Sequence, residues 1–251
     1  MLRALGDGTL MGAVSGEGAP RVLLLHGWRR TSADFAVVQQ RLADDGLSSI
    51  ALDLPGFGAS PPPARAGGAR TYAELVGGVL EEFPEPAVLV GHSFGGRVAT
   101  VLAARQPSRV GRLVVTGAPL LRLGAPARPQ RSFRALRALH HLGLLSDERM
   151  EAARRRHGSD DYRAASGVVR DVLVATVAET YEEEIDALTV PLSLVWGEDD
   201  AVVPLSVAEA VAARRRARGG SVTLDVVPGA GHLTPLTCPE RLVAATHESR
   251  T

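Results

Sequence analysis

The sequence predicts an α/β protein with a mostly parallel central sheet, helices on both of its faces, and one inserted helical segment. Three observations predict this: short unbroken apolar runs, helix-spaced stretches between them, and a single long break in the alternation. A chain of 251 residues with 45% apolar and 22% charged residues suits one globular unit with a sizeable core.

Taken in order, Thr9 to Val14 is a weak alternating run, expected as an antiparallel edge strand. Val22 to Leu25, Ser49 to Leu52, Ala87 to Val90, Leu113 to Val115, Leu192 to Trp196 and Val222 to Val227 are continuously apolar or β-rich, the pattern of parallel strands buried on both faces. Helical spacing falls between them, over Ser32 to Asp45, Tyr72 to Glu82, Gly95 to Arg105, Val207 to Arg218 and Pro239 to His247. The alternation breaks from Pro119 to about Asp186, which is proline-punctuated and helix-prone without a strand candidate. The expected organisation is therefore a core of residues 1–118 and 187–251 with a helical lid inserted at 119–186.

Charge divides the expected lid in two. Leu120 to Tyr162 carries nine arginines (Arg122, Arg128, Arg131, Arg134, Arg137, Arg149, Arg154, Arg155 and Arg156) against five acids, whereas Asp171 to Asp186 carries only acids. The plain reading is a solvated helical hairpin with two charged faces; the sharper one is a docking patch for an anionic substrate or an acidic carrier protein.

Over the whole chain 28 basic and 28 acidic residues cancel, which disfavours nucleic acid or an anionic membrane as partner. All 28 basic residues are arginine, which carries no functional conclusion. The single cysteine, Cys238, excludes an intramolecular disulfide framework and a multi-cysteine zinc site, and with no apolar leader after Met1 it makes the cytoplasm the expected location. No H-x-x-x-H, H-E-x-x-H or G-x-x-x-x-G-K pattern is present, so neither metal nor cofactor is expected.

The chemistry gathers in Gly91-His92-Ser93-Phe94-Gly95-Gly96, between the strand at Ala87 and the following helix. A G-x-S-x-G in that context is a nucleophile elbow: the serine takes a strained backbone, and its flanks need glycine because a Cβ would strike the crossing strand and helix. The helix N-terminus favours developing negative charge, and the Phe94 N–H can point at an oxyanion. A serine hydroxyl needs a base with a pKa near ambient, so histidine is expected. Of seven histidines, His232 lies in the glycine-rich loop after the last strand and can reach across the sheet edge. His26 reads as a loop-shaping residue, His92 as directed away from substrate; His140, His141 and His157 fall in the lid, and His247 near the C-terminus. The base in turn needs a buried carboxylate. Glu198, Asp199 and Asp200 compete for that place, and spacing alone leaves Asp199 and Asp200 open.

Together these motifs resemble the α/β-hydrolase superfamily, in its serine-nucleophile branch. The resemblance covers Leu25-His26-Gly27-Trp28, Asp53-Leu54-Pro55-Gly56-Phe57-Gly58-Ala59-Ser60, the elbow, Gly197-Glu198-Asp199-Asp200-Ala201-Val202-Val203-Pro204, and Gly231-His232. It implies that Asp200 is the acid of a Ser93, Asp200, His232 triad, and that the backbone N–H groups of Trp28 and Phe94 form the oxyanion hole. Asp53 is expected to shape a turn rather than to react, and Arg29 and Arg30 to face solvent at a loop tip. The implied activity is hydrolysis of a small or medium carboxylic ester, thioester or lactone, with a small-molecule acyl substrate and no cofactor. C–C bond hydrolysis, perhydrolysis and aminopeptidase action use the same triad. The His26-Gly27-Trp28 and Asp53 to Gly58 motifs are also similar to those of an esterase acting on an acyl carrier-protein ester. A non-catalytic small-molecule binder on this scaffold is the alternative from another class.

Overall fold

The computed structural model of the chain describes residues 1–6, 8–124, 136, 138–140, 142–157 and 160–247. Its strands are β1 (Leu2–Leu5), β2 (Leu10–Ser15), β3 (Pro20–Leu25), β4 (Ser48–Asp53), β5 (Ala87–His92), β6 (Val110–Thr116), β7 (Leu192–Gly197) and β8 (Val222–Val227). They join one eight-stranded sheet in the order β1-β2-β4-β3-β5-β6-β7-β8. From β4 to β8 every neighbouring pair is parallel, while β1–β2 and β2–β4 are antiparallel.

The apolar runs are continuous because both faces of the sheet are covered. Alternate residues enter two cores: Leu23, Leu25, Leu89, Leu113, Val115 and Leu194 join the larger one. Val22, Leu24, Val90, Val114 and Val195 point the other way. The helices α1 (Ala36–Asp44), α2 (Ala69–Gly77) and α3 (Phe94–Arg105) follow the early strands. Between β6 and β7 come α4 (Asp147–His157), α5 (Asp160–Ala164), α6 (Gly167–Ala178) and α7 (Glu182–Ala187), and after β7 come α8 (Leu205–Ala217), the single turn α9 (Thr234–Thr237) and α10 (Pro239–His247). The larger core takes apolar residues of α2, α3 and α8. The smaller takes Val38 and Leu42 of α1 with Leu242 and Val243 of α10.

Three expectations are corrected. The run from Thr9 is a strand, but β1 lies outside it, so β2 is not the edge. Only Leu5 of β1 is buried, which leaves Leu2 to Leu5 without the alternation that marks a half-buried strand. The helices expected over Ser32 to Asp45 and Tyr72 to Glu82 each contain a 3-10 turn, Ser32–Phe35 before α1 and Gly78–Glu82 after α2.

The third correction concerns the acids of residues 171–186, several of which fasten the insertion to the core rather than form a solvated face. Glu184 pairs with both arms of Arg70 at 2.6 and 2.9 Å. Asp186 takes Arg214 and Arg218 at 2.7 Å. Glu179 accepts the Ala69 N–H at the start of α2 at 2.7 Å. Tyr181 and Ile185, between these acids, are fully buried in the larger core. Among the described residues of 119–186 there is no strand.

Candidate functional site

β5 ends at His92 and α3 begins at Phe94, so Ser93 alone makes the turn, with φ 52° and ψ −110°. That left-handed backbone is costly for a residue with a Cβ, by about 1–3 kcal/mol. It is held by the Ser93 N–H donating to the Thr116 carbonyl at 2.9 Å and the Gly95 N–H donating to His26 at 3.0 Å. A Cβ on Gly95 would stand 2.1 Å from the Leu25 carbonyl oxygen, one on Gly91 2.6 Å from Gly95, and one on Gly96 2.6 Å from Ala118. The glycines are required by this crossing of strand and helix. As the first residue of α3, Phe94 has an N–H with no acceptor in its own helix, beside Ser93.

His232 follows β8 and reaches back to the acid loop after β7: its Nδ1 lies 2.8 Å from Asp200 Oδ2. Nδ1 must carry the proton, since a carboxylate only accepts, which leaves Nε2 with a free lone pair. The other Asp200 oxygen accepts the N–H groups of Val202 at 2.9 Å and Val203 at 2.8 Å. The Trp196 indole N–H donates to Val203 O at 2.9 Å and ties the same loop to β7. Asp200 is 5% exposed. Glu198 and Asp199 are exposed, and their N–H groups build the turn by donating to Val227 and Ala230. Gly117, just after β6, leaves room for His232: a Cβ there would lie 2.9 Å from its ring. The Ser93 hydroxyl makes no hydrogen bond to His232 among the described residues, and such bonds often tighten only when substrate binds.

Two further histidines hold this arrangement. His26, fully buried, donates from Nδ1 to Gly27 O at 2.8 Å and accepts the Leu54 N–H at Nε2 at 3.0 Å. It therefore links the loop after β3 to the loop after β4, and burial holds its pKa below the usual histidine range. His92 has a role that the sequence did not show. Its Nε2–H donates to the main-chain carbonyl of His232 at 2.9 Å, and the two rings lie 4.9 Å apart. Its Nδ1 is buried without a partner. Burial, then the neighbouring His232, lowers its pKa to about 4. Position inside the elbow is the only sequence signal, and it says nothing of a contact across 140 residues.

Trp28 packs edge-on against Phe57 at 5.1 Å and Phe94 at 5.4 Å, so the loop after β3 lies against the first turn of α3. Its indole N–H is buried and unpartnered. Asp53 has a structural place: its carboxylate accepts the N–H groups of Ser32 at 2.7 Å and Ala59 at 2.8 Å. Arg30 is engaged by both oxygens of Asp34 at 2.6 Å, while Arg29 is half exposed and 3.5 Å from Asp161 of α5. Among the insertion arginines, Arg128, Arg131, Arg134 and Arg137 lie outside the described residues, as do His141 and the side chains of Arg154, Arg155 and His157. Arg149 and Arg156 are exposed. Among the described residues, no three His, Cys, Asp or Glu side chains cluster so as to hold a metal ion, and no helix is long and apolar enough to cross a membrane.

A 2-hydroxy-6-oxononadienedioate/2-hydroxy-6-oxononatrienedioate hydrolase of Cupriavidus pinatubonensis is 27% identical over 222 residues, which span 77% of this chain and 75% of that one. A pimeloyl-[acyl-carrier protein] methyl ester esterase of Cronobacter sakazakii is 37% identical over 112 residues, 44% of this chain and 41% of the esterase. Among solved structures, a thermophilic esterase from Thermogutta terrifontis shares the fold with a TM-score of 0.70 and 23% identity, covering 98% of this chain and 96% of that one. The sequence profile of the alpha/beta hydrolase family matches residues 22–245, from β3 to the last turn of α10. With the elbow, the sheet order and that match along almost its whole length, the chain belongs to the alpha/beta hydrolase family and is an enzyme of the hydrolase class.

Proposed function

We propose that the protein is a serine hydrolase that cleaves a small or medium carboxylic ester, thioester or lactone through an acyl-enzyme. The observation that carries this reading is the 2.8 Å bond between His232 and the buried Asp200, on the sheet edge where Ser93 makes its strained turn. Ser93 Oγ attacks the carbonyl carbon while His232 Nε2 accepts its proton. Asp200 keeps the proton on Nδ1 and stabilises the imidazolium. The N–H groups of Trp28 and Phe94 receive the oxyanion, aided by the positive end of α3. His232 then protonates the departing alcohol or thiol, and a water deprotonated by His232 releases the acid. Residues 119–186 serve as the lid over this edge, with 1–118 and 187–251 as the catalytic core. The chemistry needs no cofactor.

A second reading has the same triad cleave a carbon–carbon bond next to a ketone, supported by similarity to the Cupriavidus hydrolase over most of the chain. A carrier-bound acyl ester as substrate is supported by similarity to the Cronobacter esterase over a shorter span.

The test is fluorophosphonate labelling with turnover of p-nitrophenyl esters from acetate to decanoate, in the wild type and Ser93→Ala. Labelling and turnover that vanish in the variant support the proposal, and the preferred acyl length sizes the pocket. A wild type that neither labels nor turns over overturns it.

A further inference from the structure

Arg97 and Arg122 approach the same cavity of about 230 Å³, whose other walls include Leu120, Leu121, Val177 and Glu179. Arg97 donates from Nη1 to the Thr176 carbonyl at 3.1 Å, and Arg122 from Nη2 to the Val177 carbonyl at 2.8 Å. Both thus cap the C-terminal end of α6, where cations are favoured. Capping does not account for the rest of these groups. The Nε of Arg97 is buried with no acceptor, and its guanidinium lies 5.8 Å from the centre of the Tyr181 ring.

Arg215, buried and likewise with an unpartnered Nε, donates to the Val190 carbonyl, whereas several half-buried arginines meet a carboxylate: Arg30 with Asp34, Arg70 with Glu184, Arg170 with Glu151, Arg214 with Asp186. Among the described residues neither Arg97 nor Arg122 does. Glu179, the one acid lining the cavity, has an oxygen already taken by the Ala69 N–H at 2.7 Å and the Tyr181 hydroxyl at 2.8 Å. Half-buried Arg97 and exposed Arg122 thus share with one engaged carboxylate a cavity walled in part by Leu120, Leu121 and Val177. An N–H buried without an acceptor, as at Arg97 Nε, is costly, and a second carboxylate with two oxygens would meet both it and the exposed Arg122.

Short stretches of chain connect the walls of the cavity to the proposed chemistry. Arg97 is one turn along α3 from Ser93, about 6 Å along the helix axis. Pro119 to Arg122 continue directly from Gly117, which packs against the His232 ring. We propose that this cavity receives a carboxylate, so that the substrate is a carboxylic acid bearing its scissile acyl group a few carbons away. This rests on the serine-hydrolase reading and names its substrate class.

The experiment compares p-nitrophenyl hemiesters of succinate, glutarate and adipate with neutral p-nitrophenyl esters of matched length, in the wild type, Arg97→Gln and Arg122→Gln. Fluorophosphonate labelling of Ser93 and calorimetric binding of free glutarate run alongside. The expected result is a kcat/KM for the best hemiester at least about tenfold above its neutral match, a ratio that falls roughly tenfold in either variant, as for loss of a charge-assisted hydrogen bond. Labelling at Ser93 without a preference for hemiesters overturns the carboxylate site and leaves the hydrolase reading standing. No labelling, with glutarate binding that Arg97→Gln abolishes, upholds the site and overturns the hydrolase reading; no labelling and no binding overturns both.

Discussion

Asp200 and Asp199 are adjacent acids with different surroundings, and the difference is measurable. Asp200→Asn puts an amide where the acceptor for His232 Nδ1–H stands, favouring the wrong tautomer, and kcat should fall by about 10³–10⁴-fold. Asp199→Asn, at an exposed turn, should change kcat by no more than about twofold. His92 adds a pH effect of defined sign. Its pKa is lowered from 6.5 to about 4 in the folded protein, so between those values the unfolded chain binds a proton that the native state refuses. Stability is therefore intact above about pH 6.5 and lost as pH falls toward 4, by up to roughly 3 kcal/mol from this one group. Buried His26 acts in the same direction. Urea unfolding at pH 7 and pH 4.5 should show a smaller acid loss in His92→Asn than in the wild type; an equal loss would assign the effect elsewhere.

At the level of elements, the elbow depends on bare backbone where α3 crosses β3. Gly95→Ala places a Cβ 2.1 Å from the Leu25 carbonyl oxygen, backbone that cannot rotate away, and should destabilise the fold by about 3 kcal/mol or more in urea titrations. The insertion is fastened by charge. Arg70→Met leaves Glu184, 8% exposed, without its cation, and should cost about 2 kcal/mol, less than a fully buried pair because Arg70 is 32% exposed. These fastenings were not legible beforehand. Glu179, Glu184 and Asp186 read as a solvated acidic face because their partners, Ala69 and Arg70 on α2, Arg214 on α8 and Arg218 just after it, lie far away in sequence. β1 was illegible for another reason: three of its four residues are exposed, so burial leaves almost no pattern in its composition.

Across the whole molecule, 28 basic and 28 acidic residues cancel near neutrality, so repulsion between copies is weakest there. Solubility in a polyethylene glycol titration should pass through a minimum near pH 7 and rise by pH 9. The sheet order brings β5, β6, β7 and β8 side by side, and with them the loops bearing Ser93, Asp200 and His232. Residues up to 139 positions apart in the chain are thereby gathered at one edge.

The sequence by itself determined the alternating α/β architecture, the elbow at Ser93 and the loop of His232, because apolar periodicity and glycine placement are local consequences of burial and backbone sterics. Motif resemblance further favoured Asp200 over Asp199. The tertiary structure alone decided which carboxylate His232 meets, that His92 holds the His232 carbonyl, and that Arg97 meets no acid among the described residues. Each of these depends on a contact between distant segments, and no pattern within a single segment encodes the partner it will meet when the sheet assembles.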